Sequence, residues 1–222
     1  AQAKTGNSNA ISAYEWPAGS NHPGKLCQWI LDAVLEQGVK LWTHCPATKV
    51  SRVTSSDAGS KWNVETPRGT ISAETIVHCT NAHAAVLLPQ VADFITPHRS
   101  QADAFVPTFA HAGANTMKHT QSLRYGLHHF ISVNPLRDGT MVLGGSGTRS
   151  DLDTDPSSTA RMITFDDSGY DERIAQNSQR EFMDLNAAHG VQELRPGEGL
   201  DHVWTGILGM TFDNVPLIGP ID

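Results

Sequence analysis

Thr75-Ile76-Val77-His78-Cys79-Thr80-Asn81-Ala82-His83 is a short apolar run that stops abruptly in small polar residues. Its β-branched pair, Ile76 and Val77, favours extended chain, so the run predicts a buried strand. Ala84-Ala85-Val86-Leu87-Leu88 follows as an apolar helix start and is closed by Pro89. A buried strand that turns directly into a helix leaves free backbone N–H groups at the helix mouth. Such mouths are where α/β proteins hold phosphates and other anions.

The bulk properties bound what can surround this stretch. A chain of 222 residues can bury one good core or two smaller ones. Hydrophobic content of 39% and charged content of 18% suit a soluble globular protein rather than a disordered one. The formal charge of −7 and the lack of clustered Lys and Arg argue against a nucleic-acid surface. No apolar run reaches the length of a membrane span. Cys27, Cys45 and Cys79 are odd in number and show no paired spacing, which argues against a disulfide framework. Without a signal peptide or a glycosylation sequon the sequence leans intracellular. The start at Ala1 and the ending Ile218-Gly219-Pro220-Ile221-Asp222, which reads as a strand or turn cut before its partner, favour an excerpt or a processed product.

Residues 1–19 are rich in Ser, Asn, Gly and Ala and read as loop. From Pro23, Leu26, Trp29, Ile30, Ala33, Val34 and Leu35 recur at helical spacing, with Gly38 where a C-cap belongs. The Trp29 to Leu35 stripe reads as core. Val39-Lys40-Leu41-Trp42 predicts a strand, and alternation over 48–54, 61–66 and 70–71 with turns between predicts a small antiparallel meander. Residues 99–106 predict a long strand, and 123–133 with 140–143 a hairpin around Asn134-Pro135-Leu136-Arg137-Asp138-Gly139. Loop follows over 144–158, then a helix over 170–189 ended by Gly190, then a strand over 200–207.

Four patches, in order, resemble the D-amino-acid-oxidase-like (DAO) family of FAD-dependent oxidoreductases. Ala18-Gly19-Ser20-Asn21-His22-Pro23 resembles the segment where that family carries His-Pro before a long helix. Thr48-Lys49-Val50 resembles the strand whose valine backbone meets the FAD adenine. His78 to Ala82 is similar to the strand end that carries an Ala-Thr-Asn-Ala-like run against the flavin, followed by Pro97-His98-Arg99, similar to a Pro-x-Arg lead into the substrate sheet. Trp204-Thr205-Gly206-Ile207-Leu208-Gly209-Met210-Thr211-Phe212-Asp213-Asn214-Val215-Pro216-Leu217-Ile218-Gly219 resembles the Trp-x-Gly…Thr-x-Asp-x-x-Pro-x-Ile-Gly signature. The resemblance implies an α+β or α/β fold. A partial FAD-binding lobe with the meander occupies 1–89, a mostly antiparallel substrate-binding sheet with flanking helices 90–199, and a return to the FAD lobe 200–222. It also implies cofactor contacts at Val50, Thr80, Asn81, Ala82, Trp204 and Gly206.

The chain departs from the family pattern in four places. It has no Gly-x-Gly-x-x-Gly turn for the FAD pyrophosphate. Gly145-Ser146-Gly147-Thr148-Arg149-Ser150 follows a strand but runs into an Asp- and Pro-bearing loop, with no helix to receive a phosphate. The Gly-x-Gly-His-Gly-like segment expected after Ile218-Gly219 is also missing. FAD is therefore an expectation for a full-length parent rather than for this chain alone. The strand Thr140-Met141-Val142-Leu143 lacks the lysine by which the amine-oxidising branch promotes oxygen reactivity. Ile207-Leu208-Gly209 offers no arginine fork for a substrate carboxylate. Tyr125, His128 and His129, on the strand that resembles the substrate-facing one, are candidates for orienting substrate or moving a proton. Against that stands an ordinary role as half-buried strand residues making a hydrogen bond.

His44-Cys45, His78-Cys79 and His83 lack metal-ligand spacing, and Asp151, Asp153 and Asp155 lack the EF-hand glycine and closing glutamate, so no metal site is expected. No Gly-x-Ser-x-Gly elbow exists. The expectation is hydride removal from an amine-type carbon of a small-molecule substrate, with the chain an incomplete portion of the enzyme. The competing expectation is a non-catalytic binding protein of the same fold. In that case apolar residues such as Ile76, Val77, Ile207 and Ile218 are covered by self-association of copies along a bare sheet edge.

Overall fold

The computed structural model of the protein describes residues 2–5, 7, 9–53, 61–125, 130–145 and 162–221. The chain divides into two units, one of Ala1–Ser20 with Pro97–Leu208 and one of Asn21–Thr96 with Gly209–Asp222. The first 19 residues are largely irregular, as expected, but carry one short helix, α1 (Gln2–Thr5).

The unit containing Asn21–Thr96 opens with α2 (Pro23–Glu36). His22 Nδ1 accepts the Lys25 N–H at 3.2 Å, Pro23 takes the first turn, and Gly38 at φ +88° ends the helix. The helix forms as its pattern predicts, yet none of its residues is buried and Trp29 is 70% exposed. The stripe read as core is therefore uncovered among the described residues. Amphipathic spacing marks the side of a helix that seeks cover; it does not supply the cover. Val39 to Trp42 likewise form no strand, because no described strand lies beside them to complete a ladder. The meander does form, as β1 (Lys49–Arg52), β2 (Trp62–Thr66) and β3 (Gly69–Ala73), antiparallel in that order. Val50 opposes Val64, which opposes Ile71, and Lys49 pairs across the ladder with Glu65 at 3.3 Å.

The stretch from Thr75 to Thr80 is the largest correction. It is not a strand, it has no ladder partner among the described residues, and Val77 is 79% exposed. β-branched apolar residues make a chain suited to burial between two neighbours, but burial follows only where those neighbours exist. After it come a 3₁₀ turn (Asn81–His83), the four-residue helix α3 (Ala84–Leu87) and a second 3₁₀ turn (Pro89–Val91). A helix of one turn has almost no macrodipole, so the predicted anion-binding mouth does not materialise here.

The other unit is built on a five-stranded sheet in the order β5-β6-β7-β4-β8. Its strands are β4 (Thr96–Val106), β5 (Gln121–Arg124), β6 (Phe130–Pro135), β7 (Met141–Gly145) and β8 (Gly199–Met210). β5 with β6, β6 with β7 and β7 with β4 are antiparallel. The hairpin turn closes where expected, with Leu136 N–H on Thr140 O at 2.8 Å and Gly139 at φ +94°. The stretch 123–133, read as one strand, is two: Gln121 pairs with Val133 and Leu123 with Ile131, so the chain folds back on itself. Residues 126–129, which connect the two strands, lie outside the described residues.

Helix α4 (Glu172–Ala187) lies against this sheet. The Asp171 carboxylate caps it by accepting the Arg173 N–H at 2.9 Å, and Gly190 follows its end at φ +82°. The helix places Ile174, Phe182 and Leu185 on one face. Phe182 and Leu185 join Phe105, Ile131, Val133, Met141 and Leu143 in the core, where the Phe105 and Phe182 rings stack 4.6 Å apart. The fold is mixed α and β with antiparallel sheets and few helices, as the sequence predicts.

Candidate functional site

In the unit of Asn21–Thr96 with Gly209–Asp222, two stretches far apart in sequence meet. Asn81 adopts a left-handed φ of +48°, which asparagine tolerates better than most residues. That turn redirects the chain into the 3₁₀ turn and places Ala82 at 0% exposure. The Gly209 N–H donates to Asn81 Oδ1 at 3.1 Å. A Cβ on Gly209 would stand 2.6 Å from that oxygen and 2.9 Å from the Ala82 nitrogen, so only glycine permits the approach.

Just beyond Gly209 the chain closes into a tight turn. Asn214 N–H donates to Thr211 O at 3.1 Å, Thr211 Oγ1 donates to Val215 O at 2.9 Å, and the Asp213 carboxylate accepts the Val215 N–H at 3.1 Å. That amide foremost, with Thr211, holds the Asp213 carboxyl below the usual carboxylate range. The Thr-x-Asp-x-x-Pro run is thus a self-bonded turn, with Asn214 at φ +59°.

Between the two stretches lies a cavity of about 550 Å³. His78, Cys79, Asn81, Ala84, Leu88, Val91 and Ile95 line it from one stretch, and Gly209, Met210, Thr211, Asn214, Val215, Pro216, Leu217 and Ile221 from the other. The walls are mainly apolar with a few amide, hydroxyl and imidazole groups, and the volume is that of a small-molecule or cofactor site.

Of the residues singled out in sequence, Asn81 lines this cavity, Thr80 precedes it at the surface and Ala82 is buried next to it. Val50 sits in β1 facing Val64 and does not line the cavity. Trp204 and Gly206 belong to the other unit. There they line a cleft of about 240 Å³ with Ser100, Gln101 and Ala102, and the Trp204 ring stacks on His202 at 5.1 Å. Tyr125 is half exposed and donates its hydroxyl to the carboxylate of Glu181, a buried residue of α4. His128, His129 and the Asp151, Asp153, Asp155 run lie outside the described residues, as does all of the rejected glycine string but Gly145. Among the described residues no cluster of three or more His, Cys, Asp or Glu could hold a metal, and no helix is long and apolar enough to cross a membrane.

Two groups escaped the sequence reading. Gly209 was quoted within a signature, but only its missing Cβ explains it. A row of polar residues is the second, buried where α4 meets the sheet. Ser178 donates to Asp103, Gln101 Nε2 donates to Asp103 Oδ1 at 3.1 Å, and Thr108 bonds Asn186. Burial pushes the Asp103 carboxyl up, and the Ser178 and Gln101 donors only partly oppose it.

These observations can be set against known proteins. The family model described as FAD dependent oxidoreductase, DAO, matches residues 2–222. The chain belongs to this family. Among solved structures it is similar to glycine oxidase from Geobacillus kaustophilus, at 16% identity and TM-score 0.57, over 87% of this chain and 44% of that one. It is also similar to L-proline dehydrogenase from P. horikoshii, at 18% identity and TM-score 0.64, over 90% of this chain and 47% of that one. A third is L-amino acid deaminase from Proteus vulgaris, at 15% identity and TM-score 0.55, over 86% of this chain and 40% of that one. Such identities speak for a shared DAO fold, and the chain spans less than half the length of each of these proteins. No curated protein matches it.

The DAO family's cofactor can be tested against the residues present. The 550 Å³ cavity offers apolar surface from Leu88, Val91, Val215 and Leu217 for an aromatic ring system, and Asn214 and Thr211 as polar groups for its edge. Those residues fit the ring portion of FAD. A diphosphate has no comparable cradle among the described residues, since α3 is a single turn and carries no glycine-rich lead.

Proposed function

We propose that the protein is the portion of an FAD-dependent oxidoreductase that closes over the flavin ring and carries the substrate sheet, and that its reaction is oxidation of an amine-type C–N bond. The observation that carries this reading is the cavity formed jointly by residues 78–95 and 209–221, stretches that overlap the His78 to Ala82 and Trp204 to Gly219 runs resembling the family's flavin-facing segments. The chemistry a bound FAD would supply is that of a hydride acceptor. The chain's own contribution is position and environment. Leu88, Val91, Ile95, Val215 and Leu217 line the cavity with apolar surface that a bound ring would cover, displacing water from it. Asn214 and Thr211 would offer polar groups to the ring's edge, Thr211 as an acceptor because its hydroxyl already donates to Val215 O. Within the substrate sheet, Tyr125 donates its hydroxyl to the buried Glu181, which fixes the phenol ring in place.

The similar structures bear the names of a glycine oxidase, a proline dehydrogenase and an amino acid deaminase, which supports a nitrogen-bearing carbon as the site of oxidation. The chain offers no arginine in Ile207-Leu208-Gly209, so an amine without an obligatory carboxylate is the substrate class proposed.

Titration of the purified chain with FAD tests the reading. Bands near ~370 and ~450 nm that remain with the protein through gel filtration are expected of a bound flavin. A chain that stays colourless at millimolar FAD refutes binding by this chain. A second reading, self-association without catalysis, draws on the exposure of Trp29, Val77 and Ile218. Sedimentation equilibrium separates it: a monomer at all concentrations removes this alternative.

A further inference from the structure

Asn81 has the residue type and the location of a cofactor contact, but its side-chain oxygen is committed elsewhere. Oδ1 receives the Gly209 N–H, and the same approach brings Gly209 so near the Ala82 backbone that a Cβ on it would stand 2.9 Å from the Ala82 nitrogen. The two walls of the cavity therefore meet at one point, where a left-handed asparagine faces a glycine with no room for a methyl group. Ala82, wholly buried next to the junction, keeps the Asn81 backbone from drifting. From this point Met210 to Leu217 diverge as one wall and Ala84 to Ile95 as the other.

We propose that Asn81 is a positioning residue, whose amide pins Gly209 and thereby fixes the spacing and angle of the cavity walls. It acts on a bound ring through Gly209 and the turn that follows, not by touching the ring. This rests on the functional reading above for its consequence, and on the contacts among residues 81, 82 and 209 for its mechanism. Two properties of Asn81 are separable. One is tolerance of φ +48°, which glycine shares; the other is an acceptor oxygen, which aspartate shares.

The test uses the full chain with Asn81→Gly, Asn81→Asp and Gly209→Ala. The readout independent of flavin is hydrogen exchange at the Gly209 amide, with far-UV circular dichroism confirming that each variant is folded. The expected result is faster Gly209 exchange in Asn81→Gly by roughly fivefold or more, near-wild-type protection in Asn81→Asp, and loss of protection in Gly209→Ala. On the flavin side, Asn81→Gly is expected to weaken FAD binding about five- to tenfold and to shift the ~450 nm band at saturation, with Asn81→Asp restoring both.

Protection of Gly209 that survives in Asn81→Gly overturns the pin. So does a loss of FAD affinity in Asn81→Gly without any change at Gly209, because that pattern belongs to a direct contact. A wild-type chain that binds no FAD while Gly209 exchange still follows the acceptor oxygen refutes the functional reading and leaves the pin standing.

Discussion

Replacing Phe182 by alanine tests the packing that holds α4 on its sheet. The side chain is 1% exposed and its ring stacks on Phe105 at 4.6 Å and 15°. Returning a buried phenylalanine to water costs ~1.5–3 kcal/mol. The void left behind, about 100 Å³ at ~24 cal/mol per Å³, adds roughly 2.4 kcal/mol if nothing relaxes. The lost stack contributes a further ~0.5–1.5 kcal/mol. Partial collapse of Met183, Met117 and Leu123, which border the cluster, reduces the sum. The expected loss is ~3–5 kcal/mol. Phe182→Leu keeps most of the volume and should lose less than about 1.5 kcal/mol. Urea unfolding followed by far-UV circular dichroism measures both, and Phe105→Leu in the same background completes a double-mutant cycle. A loss below ~1 kcal/mol for Phe182→Ala would mean that α4 is held by its polar row, and the assignment of this core would fall.

The polar row makes its own predictions. Burial raises the Asp103 pKa in the fold, so the folded state binds the proton more tightly than the unfolded one. Stability conferred by the neutral acid is complete below the ordinary aspartate range and is lost as pH rises through the raised value. Asp103→Asn should therefore match the wild type near pH 3.5 and exceed it at pH 7–8, by ~1.4 kcal/mol for each unit between the two pKa values, read from Tm against pH. Equal Tm differences at both ends contradict this. His111 behaves oppositely: burial first, then the neighbouring His189, lowers its pKa, with the Leu185 carbonyl partly opposing. Its contribution is complete above the unfolded value of 6.5 and is lost as pH falls from there to the lowered one, so His111→Phe should flatten the acid limb of the stability profile. Tyr125→Phe removes a donor from the buried Glu181 carboxylate and should cost about 1–3 kcal/mol whether or not flavin is present, measured by urea unfolding. No change would remove Tyr125–Glu181 as an anchored pair.

Local chemistry made much of this fold legible. The His22-Pro23 start and Gly38 stop of α2, the meander, β4, the Asn134 to Gly139 turn, α4 and β8 all follow from capping, alternation and turn residues. Quantities set by distant partners were not legible. Thr75 to Val77 and the Trp29 stripe have the composition of buried chain, and whether they are buried depends on neighbours that the described residues do not contain. The fold-back between β5 and β6 hid in a continuous alternating stretch, where only Gly126 hinted at a break. At the candidate site, Asn81 and the Thr211 to Pro216 turn were visible as motifs. The need for Gly209 was not, since it arises from a 3.1 Å hydrogen bond across 128 positions of sequence, so close that a Cβ on Gly209 would stand 2.6 Å from the Asn81 oxygen. Asp103 and Glu181 were equally hidden, because a carboxylate in a polar stretch gives no sign that a helix will close over it.

The uncovered side of α2 has a practical outcome for spectroscopy. Of the five tryptophans, Trp16, Trp29, Trp42 and Trp204 are exposed in the native fold, Trp62 is half-buried beneath the Arg52 guanidinium in the meander, and the core around Phe105 and Phe182 holds none. Emission from the four exposed indoles should thus already lie near its water-exposed maximum before any denaturant is added, and what shift remains on unfolding should come from Trp62 in the meander. The indoles will be nearly blind to melting of the Phe105 core, yet a molecule settling over Trp29 should turn their emission blue.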